Sequence, residues 1–99
     1  MYNVYLDDVR DAPDDTWTLV RDPAEFKDMI ISGLVMDCSL DHDLGAYGET
    51  ESGNEITGYD LLCWMEATRH LPKGRIFIHT GNPVGRMKMM VVVQRLNKV

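Results

Sequence analysis

The sequence predicts a small doubly wound α/β domain: a four-stranded, mainly parallel sheet with helices on both faces. Three observations carry this reading. Short β-rich runs alternate with segments of helical periodicity in the order β, β, α, β, α, β, α. Two segments open with Asp-Pro or Asn-Pro, at Asp22-Pro23 and Asn82-Pro83, which is the N-cap and first-turn pattern of a helix. Three apolar runs end in polar clusters, namely Asp7-Asp8, Asp41-His42-Asp43 and His79-Thr80. Right-handed crossovers bring the C-terminal ends of parallel strands to one edge, where such sheets bind ligands.

Residues 3–6 form the first strand and run into Asp7-Asp8. Thr16 to Val20 is the second β-rich run. After Asp22, Glu25 is placed to reach back to the cap, and Phe26, Met29 and Ile30 fall at i, i+3 and i+4, with Gly33 as a stop. Residues 34–40 read as a central strand interrupted by Asp37. Residues 45–57 are rich in Gly and polar groups without periodicity, a loop beside the strand ends and a candidate lid. Thr57 to Asp60 is a capping box with Asp in place of Glu, and Leu61, Trp64, Met65 and Thr68 mark the inner face of the helix that follows. Pro72-Lys73-Gly74 is a turn before the strand 75–78. The last helix begins at Asn82-Pro83, with Met87, Met90, Val91 and Leu96 among its apolar residues. Val91-Val92-Val93 also suits a strand, but no turn signal separates it from Met87, so the helix continues through it.

A chain of 99 residues makes one domain, 1–99, and a hydrophobic share of 44% excludes a disordered chain. Seven Met residues indicate an adaptable core. The formal charge of −6 excludes non-specific DNA binding through the overall field. Contact with a polynucleotide then needs a local basic spot or a bound cation. Cys38 and Cys63 lie in apolar runs and read as buried, reduced thiols. The first residues lack the basic start and apolar core of a secretory leader, and no apolar run approaches the ~18 residues of a membrane span. The expectation is a cytoplasmic protein with no membrane partner.

Asp7, Asp8, Asp41 and Asp43 converge at the strand ends in such a sheet. Crowded carboxylates raise at least one pKa unless a cation neutralises them, and an all-oxygen site suits Mg²⁺ or Mn²⁺. A lone Asp at a strand end is commonly a turn former; the coincidence of three clusters is what points to a site. Asp7, Asp8 and Asp41 are the expected metal ligands, with Asp43 as a further ligand or catalytic neighbour. His79 enters the site directly from its strand and can donate a proton to a leaving oxygen, act as base or bind metal. Arg10 and Arg86 bring positive charge, and the amides of Val84, Gly85 and Arg86 make a helix N-terminal anion cradle. Thr80, Gly81 and Asn82 add hydrogen-bonding groups. A metal beside an anion cradle suggests a phosphate-bearing ligand. His42 lies on a turn between two acids, and His70 ends a helix and is assigned no chemistry.

These residues resemble response-regulator receiver domains, which carry an acidic pair after the first strand, an Asp after the third and a Ser or Thr after the fourth: here Asp7-Asp8, Asp41 and Thr80. The sequence more closely resembles the cyclic-phosphate-processing receiver-like family, with its Leu-Asp-Asp-x-Arg, Leu-Asp-His-Asp-Leu and His-Ser/Thr-x-Asn motifs. This chain reads Leu6-Asp7-Asp8-Val9-Arg10, Leu40-Asp41-His42-Asp43-Leu44 and His79-Thr80-Gly81-Asn82. The resemblance spans nearly the whole chain. It implies a receiver- or flavodoxin-like sheet in the order 2-1-3-4. Receivers add a fifth strand followed by a Lys that contacts the phosphoryl group. The sequence shows no such strand or Lys after the last helix, so a phosphorelay switch phosphorylated on Asp41 is retained only as the third and least favoured reading.

The expected function is therefore a metal-dependent phosphoesterase that opens a cyclic phosphodiester on a nucleotide or an RNA 2′,3′-cyclic phosphate end. Asp7, Asp8 and Asp41 would hold the ion, His79 and Asp43 would be catalytic, and Arg10, Thr80, Asn82 and Arg86 would bind the substrate. The alternative is a non-catalytic module that binds a nucleotide, a phosphate or a partner protein.

Overall fold

The computed structural model describes residues 1–44 and 56–97. Its elements are β1 (Tyr2–Leu6), β2 (Thr18–Val20), α1 (Pro23–Ile31), β3 (Val35–Leu40), α2 (Gly58–Thr68), β4 (Ile76–Ile78) and α3 (Pro83–Asn97). All strands are parallel, in the order β2-β1-β3-β4. Element order, direction and strand order are those expected from the sequence.

Local chemistry explains the boundaries. Asp22 caps α1 by accepting from the Ala24 amide at 2.8 Å, and Pro23 occupies the first turn. Gly33 at φ +76° ends the segment in a conformation that favours glycine. The Thr57–Asp60 capping box is complete. The Thr57 amide donates to Asp60 Oδ2 at 2.8 Å, and the Asp60 amide donates to Thr57 Oγ1 at 3.3 Å. β2 begins two residues later than expected, because Asp14 accepts from the amide and hydroxyl of Thr16 and holds it in a turn. α3 runs unbroken through Val91-Val92-Val93.

Among the described residues, helices lie on one face of the sheet and not on both as expected. The register aligns Val20, Leu6, Leu40 and Ile78, and likewise Thr18, Val4, Cys38 and Ile76, on one face. Nearly all of these join one apolar cluster with Phe26 and Ile30 of α1, Leu61 and Met65 of α2, and Met89, Val92 and Leu96 of α3. Lys27 of α1 lies over the Trp64 ring of α2, and Arg95 of α3 pairs with Glu66 of α2. The three helices thus lie side by side on one layer. Chain path explains this. The connections β2-α1-β3 and β3-α2-β4 move across the sheet in the same direction, so right-handed crossovers put both helices on the same face. The connection β1-β2 runs the other way and would cover the opposite face, but residues 7–17 contain no helix.

Leu19, Tyr5, Ser39 and Phe77 form the row on that opposite face. Among the described residues it is covered only locally. Trp17 meets Tyr5 edge-on at 5.9 Å, whereas Phe77 on the outer strand remains 44% exposed.

The inward faces of the helices also differ in detail. α3 buries Gly85, Met89, Val92, Val93 and Leu96, while Met87 is 72% and Val91 55% exposed. Its apolar residues ring the helix, so periodicity alone does not select a face. In α2, Leu62 joins Leu61 and Met65 in the core, Trp64 is half-buried, and Thr68 faces solvent. Cys38 is buried and burial pushes its thiol pKa up, whereas Cys63 is only half-buried. No described helix is long and apolar enough to cross a membrane.

Candidate functional site

β1 and β3 both end at the same edge, and their first residues beyond the sheet are acidic. One carboxylate oxygen each from Asp7, Asp8 and Asp41 comes within 4.8 Å of the others. Asp7 is fully buried and Asp41 nearly so. Asp7 Oδ1 accepts from the amides of Val9 at 3.0 Å and Arg10 at 2.7 Å, which leaves Oδ2 turned inward. Asp41 Oδ1 accepts from the His42 amide at 2.8 Å. Burial raises the Asp41 pKa, and the Asp7 charge acts in the same direction; the Thr80 hydroxyl and the His42 amide partly oppose this.

His79 belongs to the same cluster but is fully engaged. Its Nε2 lies 3.1 Å from Asp7 Oδ2 and its Nδ1 lies 2.6 Å from Ser39 Oγ. Burial holds its pKa below the ordinary imidazole value, against the pull of Asp7 and Asp41. A neutral ring has one N–H, and a carboxylate can only accept, so Nε2 carries the proton and the Ser39 hydroxyl donates to Nδ1. The ring stacks on Tyr5 at 3.8 Å and 10°. Burial raises the Tyr5 pKa, as does the Asp7 charge, and the Arg10 charge lowers it in part.

The loop carrying Asp7 and Asp8 is clamped by Arg21. Its Nη1 donates to the carbonyls of Asp7 and Arg10, both at 3.3 Å, and its Nη2 pairs with Asp11 at 2.9 Å. The Asp41 loop is pressed between two helix starts. The Gly58 amide donates to the His42 carbonyl at 2.9 Å. A β-carbon at Gly58 would sit 2.0 Å from the Asp41 carbonyl oxygen, and one at Gly85 would sit 2.5 Å from the His42 ring.

Other expected residues are placed differently. Asp43 lies outside the triad, 63% exposed, and accepts from or pairs with His42 Nδ1 at 2.9 Å. Asn82 is the cap of α3: its Oδ1 accepts from the Gly85 amide at 3.0 Å, and its carbonyl accepts from the Arg86 amide at 2.8 Å. Two of the three amides of the expected anion cradle are thus satisfied within the helix itself. Thr80 Oγ1 accepts from the Asn82 amide at 3.2 Å. Arg86 turns from the acidic residues to the outer edge of the sheet, where Nη1 donates to the Ile78 carbonyl at 3.2 Å. Of the candidate lid at 45–57, residues 45–55 lie outside the described residues. Ser39, Tyr5 and Arg21 were not singled out in the sequence. Ser39 is one apolar-strand residue among several, and only register places it under His79.

The parallel order 2-1-3-4 and the acidic cluster at its C-terminal edge define a receiver-like α/β domain. The family model described as "Cyclic-phosphate processing Receiver domain" matches residues 2–95, and the chain belongs to that family. No curated protein and no solved structure matches the chain.

Proposed function

We propose that this domain is a metal-dependent phosphoesterase that opens a cyclic phosphodiester of the nucleotide or RNA-end class. The observation that carries the reading is the meeting of three carboxylates from two strand ends within 4.8 Å. That donor set is hard and all-oxygen, which fits Mg²⁺ or Mn²⁺ held by Asp7, Asp8 and Asp41. Such an ion supplies Lewis-acid polarisation of a phosphoryl oxygen and a more acidic water.

The remaining work falls to the chain. Asp7 is fixed by two amides and His79, whereas Asp8 has no hydrogen bond among the described residues and can adapt to the ligand. His79 acts here by holding the Asp7 carboxylate, since its single proton already lies on that contact. The solvent-facing Asp43, paired with His42, is the carboxylate assigned to move a proton in this reading. Arg10, beside Tyr5, offsets developing negative charge.

Full occupation of the His79 ring also favours a second reading, in which the site binds a metal-associated phosphate without turnover. Incubation with Mn²⁺ and nucleoside 2′,3′-cyclic phosphates, followed by mass spectrometry, separates the two. Ring-opened monophosphate that disappears in Asp41→Asn supports the enzyme. Metal binding with unchanged cyclic phosphate supports the binding module and overturns the enzyme.

A further inference from the structure

β4 is an edge strand, and no described residue pairs with its outer side by a strand ladder. The Cys38 amide donates to the Arg75 carbonyl and the His79 amide donates to the Leu40 carbonyl, so odd-numbered residues of this segment bond to β3. The amides and carbonyls of Ile76 and Ile78 therefore face outward. Beside them runs a groove of about 280 Å³ lined by β4 itself, Arg75, Arg86, Met90, Val93 and Asn97. We propose that this groove docks an extended, carboxylate-bearing segment of a partner protein, which adds to the sheet as a fifth strand.

Three features select that occupant. First, the edge is rich in donors. The Ile76 and Ile78 amides have no acceptor among the described residues, and Arg86 already occupies the Ile78 carbonyl. An incoming strand therefore meets more donors than acceptors, and strand addition supplies main-chain carbonyls to them. Second, the groove is locally positive in a chain of net charge −6. Arg75 and Arg86 form no ion pair among the described residues; Asp37, on the neighbouring strand, accepts from the Arg75 main-chain amide instead. Third, Phe77 on one face of the sheet and the half-buried Met90 on the other offer apolar contact along the groove. A second copy pairing β4 with β4 would bring the same arginines face to face, and like charges across an interface oppose it. The groove is separate from the acidic site, so this inference stands whether or not the domain is an enzyme.

The test uses the full chain and a blocked peptide of alternating Glu and Val, with the Lys and Val counterpart as control. Titration is followed by amide chemical shifts and hydrogen exchange. The Glu peptide is expected to bind and slow exchange at Ile76 and Ile78, with the Lys peptide inert. Arg75→Glu is expected to weaken binding about tenfold. It is the cleaner variant, because Arg86→Glu also removes the contact to Ile78. Equal binding of both peptides, no binding, protection at other amides, or self-association that protects the same two amides without peptide each overturns the proposal.

Discussion

His79 shows how one side chain can be read from sequence as a proton donor and from geometry as a support. Its position after an apolar strand made it a candidate for chemistry, but the partners on its two nitrogens are Asp7, just beyond β1, and Ser39 in β3. Supporting contacts of this type commonly change metal affinity by about 10–100-fold. His79→Ala should weaken Mn²⁺ binding by a factor in that range in calorimetry, and nitrogen chemical shifts of the wild type should show Nε2 protonated. Unchanged affinity would remove the supporting role. Glycine supplies a second residue-scale test. Gly58→Ala drives a β-carbon into the Asp41 carbonyl and should cost about 1–3 kcal/mol in chemical denaturation, with loss of metal affinity. Gly33→Ala meets open space but keeps φ +76°; it should cost about 1 kcal/mol and leave the site intact.

Helices α2 and α3 are joined by the core and by Arg95, whose Nε and Nη2 donate to Glu66 at 2.7 and 2.9 Å. This bidentate pair lowers the Glu66 pKa from its ordinary 4.5. The folded pKa then lies below the unfolded one. The stabilisation is complete above the unfolded value and is lost as pH falls through the folded value. Glu66→Gln should accordingly lower Tm slightly at neutral pH, and the gap to wild type should close in acid. A gap that persists at low pH would mean the effect is not the ion pair. Element starts were legible in sequence because caps are local: Asp22-Pro23, Thr57 to Asp60 and Asn82-Pro83 each bond within three residues. The inward face of α3 was not legible, because its apolar residues surround the helix and only neighbours decide which are buried.

At the scale of the whole molecule, the acidic edge is a liability that the proposed cation would relieve. Burial raises the Asp41 pKa, so in the metal-free protein stability should rise as pH falls through the folded value toward the ordinary 3.8. For the same reason Asp41→Asn should stabilise the metal-free domain. Mn²⁺ should raise wild-type stability by about 2.7 kcal/mol at a hundredfold excess over Kd, and this gain should vanish in the variant. Differential scanning with and without Mn²⁺ checks both. A variant less stable than wild type, or an equal metal response, would contradict the proposed role of Asp41.

Sequence by itself determined the elements, the parallel alternation, the three polar strand ends and the family motifs, because each depends on neighbours within a few residues or on strand order. Tertiary structure alone decided that all three helices share one face, that Ser39 and Tyr5 hold His79, and that Arg86 leaves the acidic edge for the outer side of β4. Those outcomes depend on the direction of each crossover and on register between strands far apart in the chain. A side chain's type says what bonds it can make, and the fold says which partners are within reach.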